Sequence, residues 1–345
     1  MVDPSAYPAS QAALQAAPLA DPQAAPRAGR GRIRVIDIAR GVALVAMAIY
    51  HFTWDLEFFG HLEPGLTAVG GWKIFARCIA SSFLFLVGVS LVLAHARGVR
   101  WRPFLVRLAQ VGAAAAAISL VTWFAVPNDF IFFGILHQIA LASLLGVLLL
   151  RFPALVLLAL GLMVISAPFF LRSELFASPW LWWVGLSPVN PRSNDYVPVF
   201  PWFGAVLLGM AAAKIFGQTG LLDRMRSWTP PRLFRPLEWG GQHSLGFYLL
   251  HQPVLIALVW LGSQIVPPTP PDPSVNFSRA CQAQCLEVRN QAFCTAYCGC
   301  VLDRVEQLPG GVTAFNNAGD DAVLESKVQD IAAMCSAEAD LELPQ

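Results

Sequence analysis

Residues 35–58 read VIDIARGVALVAMAIYHFTWDLEF, an apolar run long enough to cross a bilayer and broken by only a few ionisable side chains. A spanning helix needs about 20 predominantly apolar residues, because each adds ~1.5 Å and the hydrocarbon is ~30 Å thick. Six more stretches of this kind follow, near residues 74–96, 104–126, 130–150, 153–171, 198–216 and 240–266. Only Val126-Pro127-Asn128-Asp129 separates the third from the fourth, which predicts a tight helical hairpin. The expected fold is therefore all-α, a polytopic membrane helix bundle of about seven spans. Composition agrees: 56% of the 345 residues are hydrophobic and 13% charged, where soluble domains carry about 25% charged residues. Mean hydropathy is +0.56.

The formal charge of +1 conceals two opposed parts. Residues 1–266 hold 19 basic and 11 acidic residues, a net +8, whereas residues 267–345 hold 4 basic and 11 acidic, a net −7. Residues 1–31 are rich in Ala and Pro, lack the apolar core of a cleavable signal peptide, and end in a basic run with Arg27 and Arg30. Such a segment buries too little apolar surface to offset its ordering entropy and reads as a disordered cytosolic arm. With the N-terminus inside, the inner segments hold 14 Lys and Arg residues and the outer loops only Lys73, Arg77, Arg172 and Arg192. That asymmetry sets the orientation, and seven spans then place the C-terminus on the far side.

The tail speaks to the same question independently. Six of the seven cysteines lie there, at 281, 285, 294, 298, 300 and 335. An even number in a small soluble segment reads as disulfides in an oxidising compartment. The competing reading is zinc, since Cys281-x3-Cys285 and Cys294-x3-Cys298 each put two thiols on one helical face. Zinc sites more often use C-x2-C and the tail has no histidine, so no metal is predicted. The domain scheme is thus a cytosolic arm (1–31), a transmembrane domain (32–266) and a cysteine-rich, helical periplasmic domain (267–345). Cys78, in a span, reads as a buried apolar filler.

Ionisable groups inside spans are costly and mark candidate sites. Asp37 and Arg40 are three apart and share a helix face, as a structural ion pair at the inner edge or a pocket for a cytosolic anion. His51 and Asp55, four apart near the outer end of the same helix, also share a face. A carboxylate beside an imidazole fixes its tautomer and stabilises its protonated form, which reads as a satisfied structural pair or as the arrangement of a general base. His61 lies in the first outer loop. His137 opens the fourth span within Gly134-Ile-Leu-His137-Gln138; His243, Tyr248 and His251 lie in the seventh. A bundle that brings spans one, four and seven together would have a polar interior facing outward. Trp180, Trp182 and Trp183 read as an amphipathic segment lying on the membrane. There is no phosphate-binding G-x4-G-K-[ST] loop, no G-x-S-x-G elbow and no H-E-x-x-H, and nothing supports nucleic-acid binding.

The segment from Arg32 to Leu56 resembles the opening helix of the heparan-alpha-glucosaminide N-acetyltransferase catalytic domain family, many of whose members are bacterial membrane proteins. Further resemblance lies in FLFLVGVSL (83–91), FGILHQIA (133–140), VFPWFGAVLLG (199–209) and GQHSLGFYLLHQP (241–253), so that it covers roughly residues 32–260. The resemblance implies acyl transfer across a membrane, from cytosolic acetyl-CoA or another acyl-CoA to a sugar amine or hydroxyl on the far side. It also implies a catalytic histidine following the first span. Asp55 favours His51 for that role, while distance along the loop favours His61, and the sequence leaves both open. Asp37, Arg40 and His243 are then expected at the CoA site, and His137, Tyr248 and His251 on the acceptor side. The expected setting is the bacterial inner membrane, with lipids and a glycan or glycolipid acceptor as partners. Two other readings compete: a transporter, against which stands the lack of an internal repeat, and a membrane subunit that recruits a protein through residues 267–345.

Overall fold

The computed structural model describes residues 32–96, 98–268, 272–286, 289–316 and 322–342; the arm expected over residues 1–31, and Arg97, lie outside them. Among the described residues every regular element is helical: α1 (Arg34–Phe58), α2 (Gly70–Ala94), α3 (Trp101–Ala125), α4 (Ile135–Leu149), α5 (Ala154–Ser166), α6 (Val199–Gln218), α7 (Leu221–Ser227), α8 (Arg235–Gln242), α9 (Ser244–Ile265), α10 (Pro273–Cys285), α11 (Gln291–Glu306), α12 (Gly311–Asn316) and α13 (Ala322–Glu342).

Five of these, α1, α2, α3, α6 and α9, are long and apolar enough to cross a membrane. The fourth and fifth expected spans appear as shorter apolar helices, Ile135–Leu149 and Ala154–Phe169. Fifteen residues of α4 rise only about 22 Å, less than the ~30 Å of hydrocarbon. A 3-10 turn over Pro127–Asp129 and non-helical backbone over 130–134 precede it, and polar groups of such backbone at membrane depth need partners within the protein. The sequence supplies them: Thr122 Oγ1 accepts from Ile131 N–H at 3.0 Å, Ser119 Oγ donates to Ile131 O at 2.5 Å, and Val197 N–H donates to Phe133 O at 3.0 Å.

By contacts the chain divides into two compact units, residues 1–46 with 77–249, and residues 47–76 with 250–345; α1, α2 and α9 contribute residues to both. In the first unit Leu84, Leu157, Val206, Leu207 and Met210 form the fully buried core. Where α2 meets α6, Gly88 lies against the Val206 carbonyl and Gly209 against the Phe85 carbonyl. A Cβ at either position would collide with backbone, so these glycines set the spacing, as small residues do between helices in lipid. Large apolar side chains point outward instead, among them Val121, Phe124, Leu148 and Leu155. That would be a liability in water and is what a lipid solvent calls for. Cys78 on α2, expected as a buried filler, is exposed like them rather than packed in the core.

In the second unit the cysteines form three disulfides. Cys281 and Cys285, one turn apart on α10, bond to Cys298 and Cys294, one turn apart on α11. Two nested bonds thus lace one face of each helix into a hairpin, and Cys300–Cys335 ties α13 to it. Val301, Val305, Val312 and Ile331 supply a small core. A core of this size is marginal alone, which is why small extracellular domains depend on disulfides.

Candidate functional site

At the start of α1, Asp37 is 1% exposed and holds two guanidinium groups. Its Oδ2 accepts from Arg32 Nε at 2.5 Å and its Oδ1 from Arg40 Nη1 at 3.0 Å. Arg40 also donates to Ser90 Oγ on α2. Arg34 makes a two-toothed pair with Glu238 on α8, at 2.8 and 2.7 Å, and this hydrogen-bonded pairing holds the Glu238 carboxyl below its ordinary value. The glycines of both motifs explain the fit of α1 on α8: Gly41 lies against the Leu237 carbonyl and Gly241 against the Asp37 carbonyl, so neither helix tolerates a Cβ there.

Beside this cluster a cavity of about 390 Å³ opens. Arg32, Arg40, Arg100 and Arg107 line one end, with His95. Its walls are apolar residues of α2, α3 and α4, among them Phe83, Leu86, Phe104 and Ile139. Arg40, which the sequence assigned to the CoA site, lines it; Asp37 acts from behind, by anchoring Arg40 and Arg32. His243 does neither. It is exposed, its Nδ1 pairs with Trp239 O at 2.9 Å, and its neighbours Gln242 and Ser244 line the cavity in its place. Arg32, Arg100 and Arg107 join Arg40 at the cavity from the basic inner segments.

The three residues assigned to the acceptor side have separate roles. His137 caps the hairpin: Gly134 N–H donates to its Nδ1 at 3.2 Å, and its Nε2 lies 3.2 Å from Ser119 Oγ. The Ser119 hydrogen is already given to Ile131 O, so Nε2 carries the ring proton and both ring nitrogens are engaged. Tyr248 lines the cavity and hydrogen-bonds Asp195, a loop residue that sequence reasoning missed. Asp195 Oδ2 also accepts from Ile135 N–H at 2.8 Å. Burial pushes the Asp195 carboxyl up to about 6, against the opposite pull of these two hydrogen bonds.

His251 belongs to the second unit, where its ring faces His51 at 5.0 Å between centroids. The expected His51–Asp55 pair does not form among the described residues. Asp55, fully buried, accepts from Gln252 Nε2 at 2.7 Å through Oδ1, while its Oδ2 and Gln252 Oε1 have no hydrogen-bond partner among the described residues. His61 Nε2 lies 2.8 Å from Ser263 Oγ, whose hydrogen goes to Val259 O at 2.8 Å. His61 must therefore donate through Nε2, which leaves Nδ1 of the neutral ring as an acceptor. Glu57 braces the loop that carries His61, accepting from Thr67 N–H at 2.9 Å and Thr67 Oγ1 at 2.7 Å. Among the described residues no three His, Cys, Asp or Glu side chains converge as a metal-binding group.

The family model described as heparan-alpha-glucosaminide N-acetyltransferase, catalytic, matches residues 32–253. No curated protein matches the chain, and no solved structure does. The match covers well over half of the sequence, and the chain belongs to this family of membrane acetyltransferases.

Proposed function

We propose, with membership of that family as premise, that the chain is an acyltransferase that takes an acetyl or other acyl group from cytosolic acyl-CoA and passes it to a sugar amine or hydroxyl on the periplasmic side of the bacterial inner membrane. The observation that carries this reading is the cavity with four arginines at one end and apolar walls beyond. Guanidinium groups bind phosphates through paired hydrogen bonds, and an apolar passage suits the uncharged arm that bears the thioester. Arg32 and Arg40 are held in place for this by Asp37.

The second unit supports the acceptor half. Asp55 Oδ2 and Gln252 Oε1 are buried acceptors without donors among the described residues, and an unpaired buried polar atom costs about 1–3 kcal/mol. A sugar amine or hydroxyl brings the missing donors. His51, whose ring faces His251, or His61 through its Nδ1, takes the acceptor's proton as its nitrogen or oxygen attacks the thioester carbonyl. The C–S bond then breaks and the thiolate leaves, to be protonated as free CoA.

The test is acetyl-CoA binding and hydrolysis by the purified protein, wild type beside His51→Ala and His61→Ala. Binding retained with turnover lost in one variant supports the reading and chooses the base. Absence of acetyl-CoA binding by the wild type removes it. A reporter fused after Gln345 tests the orientation, and a cytosolic signal would overturn the periplasmic assignment.

A further inference from the structure

The cavity has a far end, and its position is fixed by helix geometry. Arg100 immediately precedes α3, and Val111, also a lining residue, lies ten residues beyond Trp101, about 15 Å along the helix axis. Leu136 belongs to the first turn of α4, which runs the opposite way, and it lines the cavity too. Tyr248 on α9 is the third member of this end. Behind them Val111 and Leu136 pack with Ala114 and Ala115 in one buried cluster, against which Tyr248 also packs. Arg32 and Arg100 at the other end reach solvent, whereas Val111 and Leu136 at this end are buried.

Tyr248 is the largest of the closing residues and it is not free to swing aside. Its hydroxyl is bonded to Asp195, and Asp195 is itself fixed by the Ile135 N–H at 2.8 Å. That N–H is one of the first-turn donors of α4, which have no intrahelical partner. The hydrogen bonds run from a helix terminus through a carboxylate to a phenol, and they anchor a ring that lines the cavity and packs against Val111 and Leu136. Nothing in the acyl-transfer chemistry itself requires such an arrangement. A bulky side chain fixed at the end of an apolar passage sets the length of what enters it.

We propose that Tyr248, held by Asp195, limits the length of the acyl chain this cavity accepts and restricts the donor to short acyl-CoA thioesters. The inference rests on the acyl-CoA reading of the cavity and adds to it a residue that determines specificity. A methylene group that a pocket must accommodate or exclude changes preference by roughly 10- to 200-fold, so removal of the ring has a measurable effect.

The experiment measures dissociation constants of CoA, acetyl-CoA, butyryl-CoA and hexanoyl-CoA for the full chain in detergent micelles, for wild type, Tyr248→Ala, Tyr248→Phe and Leu136→Ala. Wild type is expected to favour acetyl-CoA over butyryl-CoA by about tenfold or more. Tyr248→Ala shifts that ratio at least tenfold toward the longer chains while CoA itself binds as before. Tyr248→Phe keeps the ring's bulk and the short-chain preference, with a partial rise in hexanoyl-CoA binding because the ring is no longer anchored. Leu136→Ala enlarges the same end without touching the hydrogen bond and shifts the ratio in the same direction, which keeps the test decisive if Tyr248→Ala fails to fold. Equal binding of acetyl-CoA and hexanoyl-CoA by wild type overturns the inference, as does a ratio unmoved in both alanine variants. If wild type binds neither CoA nor its thioesters, the acyl-CoA reading falls and the length limit with it; if CoA binds and only the ratios fail to move, the length limit alone falls.

Discussion

Asp37→Ala is the perturbation that best tests the arginine cluster. The Asp37 side chain is 2% exposed; its partners differ, Arg40 being 24% and Arg32 57% exposed. Removing one member of a buried pair costs about 3–5 kcal/mol, because the other charge is left without compensation. Arg32 turns to solvent when released, and its share is that of a surface pair, up to about 1 kcal/mol. Arg40 cannot do so as easily, and Ser90 becomes its one remaining partner among the described residues. The loss should therefore sit at the lower end of the range, about 3 kcal/mol, or a fall in Tm of roughly 6–12 °C for a unit of this size. Thermal unfolding of the purified protein in detergent, followed by tryptophan fluorescence, reads this directly. Asp37→Ala combined with Arg40→Met should recover part of the loss, since the stranded charge is then gone. Acetyl-CoA at about 100 times its Kd should add about 2.7 kcal/mol to the wild type, and less to Asp37→Ala, whose arginines are no longer held. A fall below about 1 °C would refute the reasoning, because it would mean that Asp37 does not hold Arg40 in a buried setting.

Other consequences are open to direct measurement. Arg100→Ala and Arg107→Ala should each weaken acetyl-CoA binding about tenfold, the worth of one hydrogen bond to a charged group, with salt dependence reduced; unchanged Kd values would detach these residues from the phosphates. Asp195→Asn should raise Tm at pH 8 and not at pH 4: a carboxyl raised from 3.8 to about 6 favours the folded state fully below the unfolded value and loses that contribution as pH climbs through 6, with an upper bound of roughly 3 kcal/mol at ~1.36 per unit. Equal Tm shifts at both pH values would contradict this assignment. Cys300→Ser with Cys335→Ser opens a loop of 35 residues and should cost the tail about 4 kcal/mol, read as faster proteolysis of residues 289–342 than in wild type.

Much of the fold was legible because lipid imposes simple rules. A run such as 74–96 has to be a helix, since any other backbone would leave polar groups unpaired in hydrocarbon, and α2 covers most of it. Cysteine parity likewise announced disulfides, which the tail forms; their connectivity was not legible, because spacing gives a helix face and not the neighbour opposite. The same limit governs the site. His51 and Asp55 share a face of α1, yet side chains one turn apart need not touch, and Asp55 turned across to Gln252. His243 sits beside lining residues in sequence, yet it falls at the break between α8 and α9, where its side chain is exposed.

Tyr248 and Asp195 show why the remainder lay hidden. Fifty-three positions separate them, and nothing in either local pattern marks a pair: Tyr248 reads as an acceptor-side residue of the seventh span, an aspartate in a loop as a solvated charge. Their bond exists because α4 starts late. Had the fourth span been helical from residue 130, Ile135 N–H would have bonded within the helix, and Asp195 would have had no reason to leave water. The short α4 exposes a first-turn donor at depth, the donor draws in a carboxylate, and the carboxylate fixes the tyrosine at the end of the cavity. The departure from a uniform seven-span pattern is thus what builds the closed end of the cavity, and it arises from Gly134 and the Pro127-Asn128-Asp129 turn, which keep residues 130–134 from joining the helix.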